Sequence, residues 1–377
     1  MRGPNGKLAA VEAAADVLLG GAEGAVFDGI AFGRPALIAS APERVIEGGW
    51  EDWGKLEECW QSGCRAAPEG GLAGWFDYQG NFRFGVFPSW SRAKPDLSGP
   101  GRAAAYTDFR AVVSQGLWIE RVRRAQEYIA AGDIYQVNLT HTLTAPWERE
   151  PGDFFLRLRK VSPAPCSAFL RLGDTAVVSA SPESFVSIDG SRILTRPIKG
   201  TRVREHEAGA DAEAARELLC SAKERAELVM ITDLERSDLG QVCAYGSVKV
   251  TALCALETFE HVHHLVSTVE GTLRDEVSTL QALRACYPGG SITGAPKKRA
   301  REIIAELEES PRGIYTGALG FIDWRGRAVF SIAIRTLVVR AGLASYGVGA
   351  GIVADSDPRL EYEETLHKAA GLFAALR

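Results

Sequence analysis

Thr175–Ile198 reads TAVVSASPESFVSIDGSRILTRPI, and this stretch decides the fold class. β-Branched and aromatic residues gather in TAVVSA, SFVSI and SRILTRPI, and Asp189-Gly190 has the composition of a two-residue hairpin turn. Further strand-like runs fill 246–273 and 314–353, the latter as three runs separated by Gly-containing turns. Helical patterns interrupt them. Trp118 to Ala131 carries Ile119, Val122, Ala125 and Ile129 at helical spacing and stops at Gly132, after which Ile134–Thr140 alternates like a strand. Ala212 to about Leu234, free of Pro and Gly, predicts one long helix ending near Gly240, and Pro296 to Glu308 predicts another. A last helix has Asp357 as N-cap and Pro358 in its first turn, with Tyr362, Leu366, Ala369, Ala370, Phe373 and Leu376 as one apolar stripe. Strands in hairpin-joined runs, broken by a few long helices, predict an α/β chain of the α+β type with antiparallel sheets covered by helices.

The 377 residues are 46% hydrophobic, enough for a large core, and carry a net charge of −5. That balance argues against nucleic acid or acidic membranes as partners, and Lys297-Lys-Arg-Ala-Arg301 reads as a solvated helix face. Seven cysteines without a CxxC pair fit neither a disulfide framework nor a structural zinc site, so a reducing, cytoplasmic setting is expected. Glu12 and Asp16 interrupt the apolar residues near the start, and no run is long enough to span a bilayer. A loose stretch, Ser91–Gly101, suggests a boundary near 105 between a short β-rich region, 1–105, and a larger domain, 106–377.

Two helices each carry carboxylates three residues apart, Glu224 with Glu227 and Glu361 with Glu364. Such pairs share a helix face, and four converging acids would call for a hard cation such as Mg²⁺, although ExxE is more often a solvated face. His261, His263 and His264 lie in a strand-like run, which argues against the di-iron pattern that Glu260-x-x-His263 and Glu364-x-x-His367 imitate. Gly289–Lys297 spaces its glycines like a phosphate loop but has Ala295 where the lysine belongs, and Gly347–Gly351 lacks dinucleotide-loop spacing. Arg335, in the strand-like FSIAIRTLVV, would need an anion. Lys199 stands in a Pro-Ile-Lys-Gly turn between arginines, either a solvated charge or a nucleophilic amine. Counting from Asp189-Gly190, Ala180 faces Lys199 and Glu183 faces Arg196, so an ideal ladder pairs Glu183 with Arg196. Glu183 and Lys199 converge only if Pro182 or Pro197 breaks the register.

Ten motifs in one order complete the reading: GDIYQVNL (132–139), SPESFV (181–186), RPIKGTRVR (196–204), KERAELVMITDLERSDLG (223–240), HLVSTVEG (264–271), GSITGAPKKRAREII (290–304), GIYTGALGFID (313–323), IRTLVV (334–339), GAGIVADSDP (349–358) and EYEETLHKA (361–369). The set resembles the chorismate-utilising enzymes, which include anthranilate synthase component I, aminodeoxychorismate synthase component I and the isochorismate and salicylate synthases. The resemblance implies two large antiparallel β-sheets packed together with helices outside, and makes 106–377 the chorismate-binding catalytic domain. It implies Mg²⁺ held by Glu227 and Glu364, with Glu224 and Glu361 acting through water. Tyr315, Arg335 and the backbone at Gly349 would take the enolpyruvyl carboxylate, and Gly200, Thr201, His264, Ser291 and Lys368 would line the same pocket.

Within the family, PIKGT resembles aminodeoxychorismate synthase component I, since anthranilate synthases usually have alanine at the place of Lys199. Gln136, where isochorismate and salicylate synthases carry a lysine, also points to ammonia as nucleophile. The roles implied are Lys199 as nucleophile at C2 of chorismate, favoured as the neutral amine by Arg196 and Arg202, and Glu183 as general acid toward the C4 hydroxyl. The alternatives are anthranilate synthase component I and a non-catalytic chorismate-binding subunit. No glutaminase-like cysteine turn is present, so ammonia is expected from solution or from a separate glutamine amidotransferase subunit. The chain's end at the last family helix argues against a fused lyase, and no tryptophan-binding motif stands out in the first hundred residues.

Overall fold

The computed structural model describes residues 17, 20–28, 31, 36–66, 69–93 and 108–377. Two antiparallel sheets of ten strands each stack at its centre. Alternation builds the sandwich, because successive side chains of a strand point to opposite faces. In Ala318–Asp323, Leu319 and Phe321 point between the sheets, and Phe321 meets Phe27 of the other sheet with ring centres 5.6 Å apart. Ala318 and Ile322 point outward, under a layer that includes Trp53, Leu56, Leu280 and Leu283 from the helices Trp53–Ala66 and Thr279–Cys286. The Thr175–Ser181 strand mirrors this, with Val177 inward and Ala176 and Val178 outward against Phe154 and Leu372 of the helices Pro151–Val161 and Ala370–Leu376. Both faces of these two central strands are therefore buried, at about 1.5–3 kcal/mol for each large apolar side chain.

N-terminal strands extend both sheets. Gly24–Asp28 pairs with Cys166–Leu172, and Gly71–Phe76 pairs with Ala318–Asp323. The boundary expected near 105 lies outside the described residues, as do Glu12 and Asp16.

Several local expectations change. The long helix is two, Ala208–Cys220 and Ala222–Gly240, because Ser221 leaves helical geometry (ψ 105°) and its hydroxyl caps the second helix at the Glu224 N–H. The last stripe divides between Pro358–His367 and Ala370–Leu376, while Asp357 caps the first through the N–H groups of Arg359 and Leu360. Residues 314–353 hold four strands, Ala318–Asp323, Ala328–Ile332, Thr336–Arg340 and Leu343–Ile352. The 175–198 hairpin also differs. Its turn is Gly190-Ser191, with Asp189 opposite Arg192, and an irregularity between Ser184 and Ser187 brings Ser184 opposite Arg196. Arg196 pairs with Glu257, so the Glu183–Arg196 ion pair of the ideal ladder does not form.

The ladder breaks at Pro182. Thr175–Ser181 belongs to one sheet and Ser184–Asp189 to the other, so Pro182-Glu183 is a crossing. Pro197 breaks nothing, since Thr195 opposite Val269 and Ile198 opposite Val266 keep one register. A second crossing, Ala333-Ile334-Arg335, joins Ala328–Ile332 to Thr336–Arg340, and Arg335 there has φ 52° instead of lying in a strand. The two crossings lie side by side: Ile332 N–H donates to the Glu183 carbonyl and Ala180 N–H to the Arg335 carbonyl, both at 3.1 Å. Among the described residues no helix is long and apolar enough to cross a membrane.

Candidate active site

The paired crossings open onto a cavity of about 530 Å³, and all fourteen residues singled out from the sequence line it. Glu183 and Arg335 come from the crossings. Lys199, Gly200 and Thr201 come from Ile198–Val203, His264 from Val262–Thr272, Ser291 from the turn at Gly290–Ile292, and Gly349 from Leu343–Ile352. Glu224 and Glu227 descend from Ala222–Gly240, Glu361 and Glu364 from Pro358–His367, and Lys368 follows that helix directly. Tyr315 completes the set.

Gly200 shapes the amine's position. It is the extra residue between Lys199, opposite Leu265, and Thr201, opposite His264, with φ 73°. A Cβ there would lie 2.7 Å from Leu218 Cδ1 and 3.2 Å from Glu224 Oε2, so a side chain has no room.

The charges facing Lys199 are Glu183, Glu227, Glu364 and Lys368. Of the neighbouring arginines, Arg196 is engaged with Glu257, while Arg202 lines the cavity, donating to the Thr201 carbonyl and standing 4.0 Å from Glu224. Glu183 is 5% exposed, and burial pushes its carboxyl up to about 7 against the opposing pull of Ser291, the Lys199 charge and the Ile198 N–H. The Ser291 hydroxyl turns toward this carboxyl without closing a full hydrogen bond. Gln136 is fully buried beneath Gly351, and neither atom of its carboxamide has a partner. A Cβ at Gly351 would sit 2.5 Å from Gln136 Nε2 and 3.7 Å from Lys199 Nζ, which makes amide and amine neighbours.

The acids face one another across the two helices. Burial raises Glu227, with Lys199 opposing and Glu224 and Glu364 adding to the rise. Burial also raises Glu361, which accepts a hydrogen bond from Ser356 Oγ at 2.7 Å. Glu364 resists burial through Lys368, whose Nζ lies 2.7 Å away, and ends below the usual range. Among the described residues no three His, Cys, Asp or Glu groups converge as a ready ligand cluster. Oxygen donors from two facing helices, with open space between them, do fit Mg²⁺, which takes one or two carboxylates and completes its shell with water and an anionic ligand.

Arg335 and Lys368 bring positive charge into the same cavity. Lys368 Nζ also donates to the Gly349 carbonyl at 2.9 Å, and His264 Nδ1 meets Thr201 Oγ1 at 2.9 Å. Burial pushes His264 down to about 4, so its ring is neutral at pH 7. The Tyr315 ring packs flat on Gly347, where a Cβ would come within 2.0 Å of it. Lys223 and Asn138, which carry no expected role, also line the cavity, as does His367, noted above only in the di-iron imitation. Lys223 and His367 each adjoin a residue that was identified, and that adjacency was the signal available.

The family profile for chorismate binding enzymes matches residues 88–374. The chain belongs to that family. Among chorismate binding enzymes it is 47% identical over 266 residues to anthranilate synthase component 1 of Streptomyces coelicolor, covering 70% of this chain and 52% of that protein. It is 45% identical over 262 residues to aminodeoxychorismate synthase component 1 of Escherichia coli, covering 70% and 58%. The matches thus span little more than half the length of these relatives. The solved anthranilate synthase component I of Streptococcus pneumoniae superposes with a TM-score of 0.78 at 28% identity, over 89% of this chain and 91% of that one. A putative isochorismate synthase from Bacillus anthracis shares the fold, with a TM-score of 0.80 at 22% identity over 94% and 96%. The expected architecture of two packed antiparallel sheets with outer helices is the one observed.

Proposed function

We propose that this chain aminates chorismate at C4 with ammonia, giving 4-amino-4-deoxychorismate, as an aminodeoxychorismate synthase component I. One observation carries the reading: an amine, Lys199, shares the cavity with a buried carboxyl, Glu183, that is still half protonated near neutral pH. A binding module has no use for that pair, and a departing hydroxide needs the acid. Lys199, as the neutral amine, adds its electron pair to C2, the two conjugated ring double bonds shift from C1=C2 and C5=C6 to C1=C6 and C4=C5, and the C4–O bond breaks. Glu183 gives its proton to the departing oxygen, which leaves as water. Ammonia then adds at C4, and Lys199 leaves C2 with its electron pair. Gln136 lies beneath Gly351 next to this amine, with Nε2 turned toward it and its carboxamide unpaired. Mg²⁺, held by Glu227 and Glu364 and through water by Glu224 and Glu361, would neutralise the ring carboxylate and fix the ring. Arg335 and Tyr315 orient the enolpyruvyl carboxylate at the other end. Free ammonia or a separate glutamine amidotransferase subunit supplies the nitrogen.

A second reading has its own support, because relatives named anthranilate synthase component 1 match as well as those named aminodeoxychorismate synthase component 1. Product analysis separates the two. With chorismate, Mg²⁺ and ammonium, the proposed activity gives 4-aminobenzoate only after an aminodeoxychorismate lyase is added. Fluorescent anthranilate formed without the lyase would refute the assignment.

A further inference from the structure

On the Ala222–Gly240 helix, Leu228, Ile231 and Leu239 form a buried stripe, and Glu235 stands within it where an apolar residue belongs. Glu235 is 6% exposed and accepts a hydrogen bond from Thr195 Oγ1 at 2.6 Å. Its methylenes pack against Gly290, where a Cβ would come within 3.3 Å of Cγ, and Gly290 adjoins Ser291, whose hydroxyl faces Glu183. One turn onward Asp238, equally buried, accepts from Lys297 Nζ, which also donates to the carbonyls of Cys286 (3.1 Å) and Pro288 (2.8 Å). Asp238 and Lys297 form part of the wall of a second cavity, about 840 Å³, which meets this helix further along, at Leu234 and Gln241, and shares no lining residue with the first. A line of titratable groups therefore runs from the candidate active site, through Glu235, to a separate opening.

We propose that Glu235 is a positioning residue that returns a proton to Glu183 after each turnover, along a buried line ending at Asp238 and Lys297. The inference rests on Glu183 serving as general acid. Once Glu183 has protonated the leaving oxygen, its carboxylate faces Lys199, Ser291 and the Ile198 N–H on the cavity side and the Glu235 carboxyl behind. Glu235 in turn faces Glu183, Asp238, Lys297 and Thr195, with the Cys286 thiol alongside it and the Cys166 thiol alongside Glu183, both raised by burial. Burial, with the Glu183 charge adding to it, pushes Glu235 up to about 8, and burial pushes Asp238 up to about 6 against the pull of Lys297. The proton thus stays on Glu235 until Glu183 takes it. The Glu235 O–H bond breaks, a Glu183 O–H bond forms, and Glu235 is reprotonated through Asp238 and Lys297 from water in the second cavity.

Two measurements on the full chain test this. In the first, infrared absorption of protonated carboxyls is followed through a pH titration of the free protein. Glu235→Gln should remove the higher-titrating buried carboxyl, and Glu183→Gln should lower its midpoint by roughly one pH unit, since a like charge has gone. An unmoved midpoint overturns the relay, whether or not the protein turns chorismate over, so failure of the amination reading is seen separately. In the second, rapid quench compares the first turnover with the steady state. Glu235→Gln should keep a first turnover near the wild-type rate and slow later ones roughly tenfold or more, with imidazole restoring the rate and Glu235→Asp intermediate. Equal slowing of both phases, or a loss that imidazole does not repair, overturns it.

Discussion

Replacing Glu183 by Gln should stabilise the protein increasingly as pH rises, and the size of the effect follows from burial. The carboxyl is raised from an ordinary 4.5 to about 7. At about 1.4 kcal/mol per pH unit, this displacement amounts to roughly 3 kcal/mol. For an acid raised on folding, the native state binds more protons than the unfolded state between the two values. Stability contributed by the protonated form is therefore present below pH 4.5 and lost as pH climbs through about 7. Gln has nothing to ionise, so the variant escapes this loss. Its own hydrogen-bond differences at Ser291 and the Ile198 N–H add an offset that does not change with pH. Urea unfolding of both proteins in steps from about pH 5 to about pH 9 should show the stability difference move in favour of Gln by about 3 kcal/mol and then level off. Relief of Glu235, which the Glu183 charge raises, acts in the same direction. A difference that stays flat with pH would show that Glu183 titrates like an exposed carboxylate, and the case for it as general acid at neutral pH would fail.

Lys199→Ala should abolish aminodeoxychorismate formation while tight binding of chorismate by calorimetry persists; full activity would remove the amine from the chemistry. Glu227→Gln and Glu364→Gln should each weaken Mg²⁺ binding by about 100-fold or more and Glu361→Gln by less, read as the Mg²⁺ concentration giving half-maximal rate. Gly347→Ala places a methyl within 2.0 Å of the Tyr315 ring and must displace it, so KM for chorismate should rise roughly tenfold. Activity should decline above about pH 7 as Glu183 ionises, provided ammonia is held constant as the free base.

The helix signals that were legible are those written in adjacent residues: Asp357 capping Arg359 and Leu360, or the pattern before Gly132. What was hidden lies in choices the local sequence permits either way. Ser221 is acceptable inside a helix and equally good as a cap, so 212–240 read as continuous, yet the break at Ser221 sets the start and direction of the helix that carries Glu224 and Glu227 to the cavity. SASPES looks like the bend of one hairpin, because β-rich sequence continues on both sides of Pro182; nothing local says that the strands join different sheets. Arg335 sat in an apolar run and read as strand for the same reason. The ExxE pairs were visible as spacing, but helices more than a hundred residues apart meet only in the fold. Ordered family motifs bridged that gap for the site residues. They did not reach Glu235, although an acid within an apolar stripe was there to be seen.

The cavity lies where regular pairing is interrupted, and the reason is physical. A strand buried on both faces offers no free polar groups, since its backbone is spent in the ladder and its side chains in the two cores. Polar chemistry has to enter where the ladder stops. Glu183 and Arg335 occupy the two inter-sheet crossings, Gly200 the bulge beside Lys199, and Ser291 the turn before the short Gly294–Ala295 strand. The crossings are fastened to each other through the Glu183 and Arg335 carbonyls, so acid and guanidinium are fixed relative to the sandwich and not to a loop. Gly347, Gly349 and Gly351 meet the same need from within a strand. Alternate positions without side chains leave room for Tyr315 and Gln136 and expose backbone to the cavity while the ladder with Gln136–Pro146 stays intact. A rigid sheet thereby carries a polar site without surrendering its core.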